Sequence, residues 1–204
     1  MPAGDTSPFA PMLMQQPTSW SPDGRTLAFQ EGYHQKTLYD IYALSLDGDS
    51  GVRPLLTTGA NERLPTFSPD GHWLAYASDE SGRLQVYVRR WPSFGEPVQV
   101  TRDGGDSPAW SRDGGELYFV KGQGLFAVPF DDGRTGAARL VINGTQRGSR
   151  NTMHMFGIFG RQYDIAPDGR FLMLQREANV PSGSEYQVVL NWTTELHRRF
   201  EGKP

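Results

Sequence analysis

The strongest constraint on the fold is a short run that returns four times along the chain. Thr18-Ser19-Trp20-Ser21-Pro22-Asp23-Gly24-Arg25-Thr26-Leu27-Ala28-Phe29 recurs as Pro65-Thr66-Phe67-Ser68-Pro69-Asp70-Gly71-His72-Trp73-Leu74-Ala75-Tyr76. It recurs again as Ala109-Trp110-Ser111-Arg112-Asp113-Gly114-Gly115-Glu116-Leu117-Tyr118-Phe119, and as Asp164-Ile165-Ala166-Pro167-Asp168-Gly169-Arg170-Phe171-Leu172-Met173-Leu174. The aspartates Asp23, Asp70, Asp113 and Asp168 stand 47, 43 and 55 residues apart. Each run reads as strand, turn, strand. Pro pre-sets φ for the turn, Asp bonds the backbone just beyond itself, and Gly takes the positive φ. The residues that follow place large apolar side chains two apart, such as Leu27 and Phe29 or Leu74 and Tyr76, with the period of a strand.

A third strand is expected to begin 11 to 19 residues after each aspartate, at Asp40 to Leu44, Gln85 to Val88, Gly124 to Val128 and Gln187 to Leu190. Turns such as Asp47-Gly48 and Asp132-Gly133 lead to a fourth, at Val52 to Leu56, Val98 to Thr101 or Arg139 to Ile142. Four antiparallel strands per repeat of about 45 residues is the pattern of a β-propeller blade. The expected fold is therefore all-β: one domain over 1–204, with four blades at about 17–58, 65–101, 108–142 and 162–191. Composition agrees. The 24 glycines and 15 prolines make up about a fifth of the 204 residues, against about an eighth in average usage.

The Ser-Pro-Asp-Gly-x-x-Leu-Ala-Phe/Tyr run, followed by Asp40-Ile41-Tyr42, resembles the TolB-type propeller repeat, also called the WD40-like or PD40 repeat. A narrower resemblance rests on Ser78-Asp79-Glu80-Ser81-Gly82-Arg83 with Val86-Tyr87-Val88, on Trp110 to Gly114, and on Val188-Val189-Leu190-Asn191-Trp192 with Glu195-Leu196. These segments are similar to the C-terminal propeller region of certain bacterial serine/threonine protein kinases. The resemblance implies a sensor-type or scaffold region, and TolB-like blades that normally close in larger numbers than four.

Charge and composition exclude several classes. Twenty Lys and Arg against 23 Asp and Glu give a net charge of −3, which argues against a nucleic-acid partner. No apolar stretch approaches the roughly 20 residues of a membrane-spanning helix. With no cysteine, thiol chemistry is excluded and the redox compartment is left open. Met1 to Gln16 lacks the pattern of a signal peptide; the expectation is a cytoplasmic chain as it stands, or a periplasmic one as part of a longer protein. No metal or cofactor is expected. The Asp-Gly turns lack the dense acidic series of a calcium loop, and no metal-binding histidine spacing occurs.

Blade topology places the loops opposite the Asp-Gly turns around one mouth of the central channel, the default position for a ligand. Seven residues before each aspartate come Gln16, Arg63, Asp106 and Arg161; eight before come Gln15, Glu62, Gly105 and Gly160. Both sets are expected to ring that mouth, with the Gly-rich insert Asn143 to Arg161 beside it. Gln16, Arg63, Arg161 and Phe156 are the candidate ligand-binding residues. The leading reading is a non-catalytic binding, scaffold or sensor module for a protein, peptide or small molecule. The alternative is a small glycoside or ester hydrolase, with Glu62 and Asp106 as paired carboxylates and His154 as a general base. Against that stands the plainer expectation that Glu62 and Asp106 cap turns or pair with Arg63 or Arg161.

Trp20, Phe67, Trp110, Phe29, Tyr76 and Phe119 hold repeat positions and are expected to pack between blades. Pro8 to Met14 is expected to form a strand that completes the last blade, and Trp192 to Phe200 a short helix with Trp192, Leu196 and Phe200 on one face. An open arc of four blades exposes sheet edges that invite association; closure within one chain gives a strained four-bladed ring, and closure between two chains, the favoured reading, gives a homodimer of eight blades.

Overall fold

The Ser-x-Asp-Gly turns fold alike, and they set the register of everything after them. In the first, the Ser21 hydroxyl donates to Asp23 Oδ1 at 2.5 Å, the Arg25 N–H donates to the same oxygen at 3.1 Å, and the Thr26 N–H donates to Ser21 Oγ at 2.9 Å. The pattern repeats with Ser68, Asp70, His72 and Trp73, and with Ser111, Asp113, Gly115 and Glu116. The glycine after each aspartate has φ between 70° and 80°, a region that side chains with a Cβ rarely enter. These hydrogen bonds hold the turn carboxylates below the usual aspartate range. At Asp23 and Asp113 the serine hydroxyl is the main cause, and at Asp168 it is the Arg170 N–H. At Asp70 burial pushes upward, and the Ser68 hydroxyl with the His72 N–H outweighs it.

The computed structural model describes residues 14–32, 38–47, 51–143, 160, 161, 163–166 and 168–173, and every regular element among them is a strand. The first sheet runs β1 (Met14–Trp20), β2 (Thr26–Gly32), β3 (Tyr39–Ser45), β4 (Val52–Leu56) in order. The second runs β5 (Glu62–Phe67), β6 (Trp73–Ser78), β7 (Gln85–Arg90), β8 (Val98–Gln99). The third holds β9 (Asp106–Trp110), β10 (Glu116–Lys121) and β11 (Gly124–Asp131). Its outer position is shared by β12 (Arg134–Thr135) and β13 (Arg139–Asn143), which pair with opposite ends of β11. A fourth begins with β14 (Tyr163–Ile165) and β15 (Phe171–Met173). All pairings are antiparallel. Met14 belongs to β1, opposite Gly32. The rest of the expected closing strand, the third strand at Gln187 to Leu190 and the expected C-terminal helix lie outside the described residues.

Successive sheets pack face to face through aromatic residues. Between the second and third, Trp73, Val86 and Val88 meet Trp110, Leu117, Phe119, Val128 and Phe130. Phe130 stands edge-on to both Trp73 and Trp110, at 5.2 and 4.9 Å between centroids. Between the first and second, Ile41 and Leu56 meet Tyr76 and Tyr87, and Ala28 meets Phe67 and Leu74. Trp91 and Phe94, which fall outside the repeat, fold back onto this seam, with Trp91 edge-on to Phe67 at 5.0 Å. The third and fourth meet through Val120, Leu125 and Tyr163, with Tyr118 edge-on to Phe171 at 5.2 Å.

Two expectations need correction. Phe67 and Trp110 are 6% and 8% exposed, but Trp20, at the same repeat position, is 53% exposed. This position packs on the preceding blade, and Trp20 belongs to the first. In the fourth repeat Ile165 pairs with Phe171, whereas Trp20, Phe67 and Trp110 pair with Leu27, Leu74 and Leu117. The turn is one residue tighter, and a one-residue slip exchanges the two faces of a strand. Phe171 therefore faces the third blade and Leu172 is 71% exposed.

The depressed turn carboxylates predict a pH dependence. A folded-state pKa below the unfolded value, about 3.9 for aspartate, stabilises the fold above that value and is lost as pH falls through the lower folded one. The melting temperature is expected to drop between about pH 5 and pH 3, and Asp113→Asn to flatten that part of the curve. A thermal-denaturation series in pH checks it; an unchanged slope in Asp113→Asn contradicts it.

Candidate functional site: the central channel

The innermost strands β1, β5, β9 and β14 come together because polar groups tie each to its neighbour. Gln30, fully buried on β2, donates to Gln16 Oε1 at 2.9 Å and accepts the Leu64 N–H at 2.8 Å, joining the first blade to the second. The Phe67 N–H donates to Ser19 Oγ at 3.1 Å. The Trp110 indole N–H donates to the Thr66 carbonyl at 3.2 Å. The Tyr163 hydroxyl donates to the Ser107 carbonyl at 2.8 Å, and burial pushes its ionisation far above the ordinary tyrosine range. Leu64 and Ser107, equivalent in the repeat, both have φ near +54°, a costly conformation for side chains with a Cβ. Irregular register marks the same stretch of β1, β5 and β9.

These strands line a cavity of about 330 Å³ to which each of the four described sheets contributes, among its residues Gln16, Thr18, Leu64, Pro65, Pro108, Arg161, Tyr163 and Asp164. A second cavity of about 430 Å³ lies toward the Asp-Gly turns, with Trp20, Phe67, Trp110 and Ile165 in its wall. Arg161 and Asp164 line both cavities, and they pair at 3.2 Å. The Arg161 guanidinium also donates to the Tyr163 carbonyl at 2.9 Å and the Pro108 carbonyl at 3.3 Å. Gly160 has φ +119°, a conformation that favours glycine, and a Cβ there would stand 2.9 Å from the tip of the Gln16 side chain, Nε2.

The residues expected at the mouth divide into groups. Gln16 and Arg161 line the first cavity. Arg63 and Asp106 instead pair with each other at 2.7 Å across the seam between the second and third blades, largely buried. Gln15 donates to Glu31 at 2.6 Å. Glu62 is 1% exposed; one carboxyl oxygen accepts the Thr58 hydroxyl and the other has no partner. Burial raises the Glu62 pKa, and Asp40 and Glu80 add to the rise against the Thr58 hydrogen bond. Glu62 and Asp106 thus take separate partners, Thr58 and Arg63. His154 and Phe156 lie outside the described residues. Among the described residues no cluster of three His, Asp or Glu is placed to hold a metal ion. Gln30, Tyr163 and Asp164 escaped the count along the repeat. Asp164 sits three residues past Arg161, at a position where the other copies carry Ser19, Thr66 and Ala109.

Four-stranded antiparallel sheets packed in succession around a channel define a β-propeller. The family described as the TolB beta propeller domain, PD40, matches residues 10–178, and the chain belongs to it. Over 157 residues the chain is 32% identical to an uncharacterized protein of Agrobacterium fabrum, covering 74% of this chain and 50% of that one. Of solved structures, TolB from Acinetobacter baumannii aligns with a TM-score of 0.58 at 19% identity, over 82% of this chain and 39% of that one. A TolB-like protein from Agrobacterium tumefaciens aligns at 0.53 with 23% identity, over 64% and 50%. The chain spans about half the length of the curated relative it matches. The fold fits a binding or scaffold module.

The environment of Glu62 gives a test. A carboxyl whose folded pKa lies above its unfolded value contributes most below the unfolded value, about 4.3, and its contribution is lost as pH rises through the folded one. Removing the charge with Glu62→Gln is expected to raise stability at pH 7–8 by roughly 1 kcal/mol, or about 2–4 °C in melting temperature. The difference should vanish near pH 4. Calorimetry checks it; a variant destabilised at pH 8 contradicts it.

Proposed function

We propose that the chain is a non-catalytic binding module whose central channel takes an extended peptide segment of a partner protein. The observation that carries this is the Arg161–Asp164 ion pair at the junction of two cavities walled by four blades. The pair offers one cation and one anion, Gln16 adds an amide, and Leu64, Pro65 and Pro108 add apolar walls. A peptide backbone with a short side chain matches that mixture. The cavities fall within the range of about 300–1,000 Å³ typical of ligand sites. The likeness of Ser78 to Arg83 and Trp110 to Gly114 to kinase-associated propellers supports the same reading, that of a sensing or scaffold region of four blades.

Selection from a random peptide library, followed by calorimetric titration of the best binder, tests the proposal. Gln16→Trp, which fills the first cavity, is expected to weaken binding at least 10-fold, about 1.4 kcal/mol, and to lower the melting temperature because the buried Gln30 amide loses its acceptor. Binding that is unchanged in Gln16→Trp contradicts the channel as the site. Turnover of chromogenic glycosides or esters that falls more than about 100-fold in Asp106→Asn, about 2.7 kcal/mol, contradicts the non-catalytic reading.

A further inference from the structure

The turn side of the channel carries a charge that the repeat does not call for. Three of the four turns read Pro-Asp-Gly, with Pro22, Pro69 and Pro167; the other places Arg112 before its Asp-Gly. The turn itself has no need of the arginine. The Gly114 N–H donates to the Ser111 carbonyl at 3.0 Å, as Gly24 donates to Ser21 and Gly71 to Ser68. Arg112 lines the second cavity with Pro22 and Pro69. It is exposed and, among the described residues, makes no hydrogen bond or ion pair. The Oδ1 of the adjacent Asp113 is taken by the Ser111 hydroxyl and the Gly115 N–H. Trp20 lines the same cavity and is 53% exposed, where its equivalents Phe67 and Trp110 are buried.

The charged residues lining the two cavities are Arg112, Arg161 and Asp164. Asp164 pairs with Arg161 at 3.2 Å, and the remaining hydrogen bonds of Arg161 go to neutral carbonyls. One positive charge is left over, in a chain whose net charge is −3. We propose that the second cavity anchors a carboxylate of the bound peptide on Arg112, with the side chain beside that carboxylate laid on the Trp20 indole. The inference rests on the reading of the channel as a peptide site and names the group on the peptide that it selects. A guanidinium matches a carboxylate with two parallel N–H donors. Cavity walls that displace water strengthen the attraction beyond its value on an open surface. The exposed indole offers an apolar face to the flanking side chain. A peptide presents a carboxylate at its C-terminus or on an Asp or Glu side chain, and the chemistry at Arg112 is the same for both.

The test takes the best binder from the random peptide library in three forms: the free acid, the C-terminal amide, and the free acid with every Asp and Glu changed to Asn and Gln. Each is titrated calorimetrically into the full chain and into its Arg112→Pro and Arg112→Gln variants. One neutralised peptide is expected to bind the parent roughly 10-fold more weakly. A loss in the amide marks the α-carboxylate, and a loss in the Asn and Gln form marks a side chain. Each Arg112 variant should weaken the free acid by a similar factor but that neutralised peptide by less than about 2-fold, because both changes remove the same contact. Arg112→Pro restores the residue of the other turns, so its melting temperature should equal or exceed that of the parent. Arg112→Gln leaves the backbone as it is and repeats the measurement independently. Equal binding of all three peptides to the parent, or a carboxylate effect that both Arg112 variants retain in full, overturns the inference and leaves the channel reading standing. A library that yields no binder overturns both.

Discussion

The structure depends on aromatic side chains packed between neighbouring sheets. A propeller blade is a small, strongly twisted sheet that cannot bury either face by itself, so its stability comes from its neighbours. Here the residue three before each turn aspartate and the stacked pair on the second and third strands supply that burial. Trp110 and Phe130 close the seam with Trp73, and Phe67 closes the one before it. Aromatic pairs in edge-to-face contact add about 0.5–1.5 kcal/mol beyond the area they bury. The same residue type at Trp20 is left open to solvent. Position in the series decides its fate, and its own chemistry does not.

The polar ties at the inner strands follow from this packing. Once the sheets are face to face, their first strands converge, and backbone groups that would be orphaned need partners. Gln30, Ser19, the Trp110 indole and the Tyr163 hydroxyl provide them. Burial of Gln85 does the same work at the outer end of the second blade, where it accepts from Thr101 and the Gly104 N–H and donates to the Arg102 carbonyl. The channel is lined with what remains: prolines, the end of Gln16, and the Arg161–Asp164 pair. Ligand recognition and blade cohesion therefore share the same strands.

Much of the fold was legible in the sequence because the repeat is local chemistry. A serine, an aspartate and a glycine at fixed offsets close a turn whatever surrounds them, and the turn then fixes the pairing of Trp20 with Leu27 and of Trp110 with Leu117. The fourth repeat departs where the serine is replaced by Ala166. Without the hydroxyl that holds the turn in the other three, the pairing tightens by one residue. The site was less legible. Counting back from the aspartate finds Gln16, Arg63, Asp106 and Arg161, and the pairing of Asp106 with an arginine is the plainer expectation, but counting does not place the Arg63–Asp106 pair in a seam between blades. Nor does counting show that Glu62 points inward to Thr58. Those outcomes depend on residues about 43 positions away for one pair, and on depth of burial for the other. Asp164 was hidden because a carboxylate at that position has no counterpart in the other copies.

The aromatic seam can be measured directly by a double-mutant cycle on Trp73 and Phe130, which meet edge-on across the second and third blades. Each alanine variant alone should cost about 3–5 kcal/mol, and the two should be coupled by about 1 kcal/mol in denaturant unfolding. Costs that add to within about 0.3 kcal/mol would contradict packing of these two rings as the interaction that holds one blade to the next.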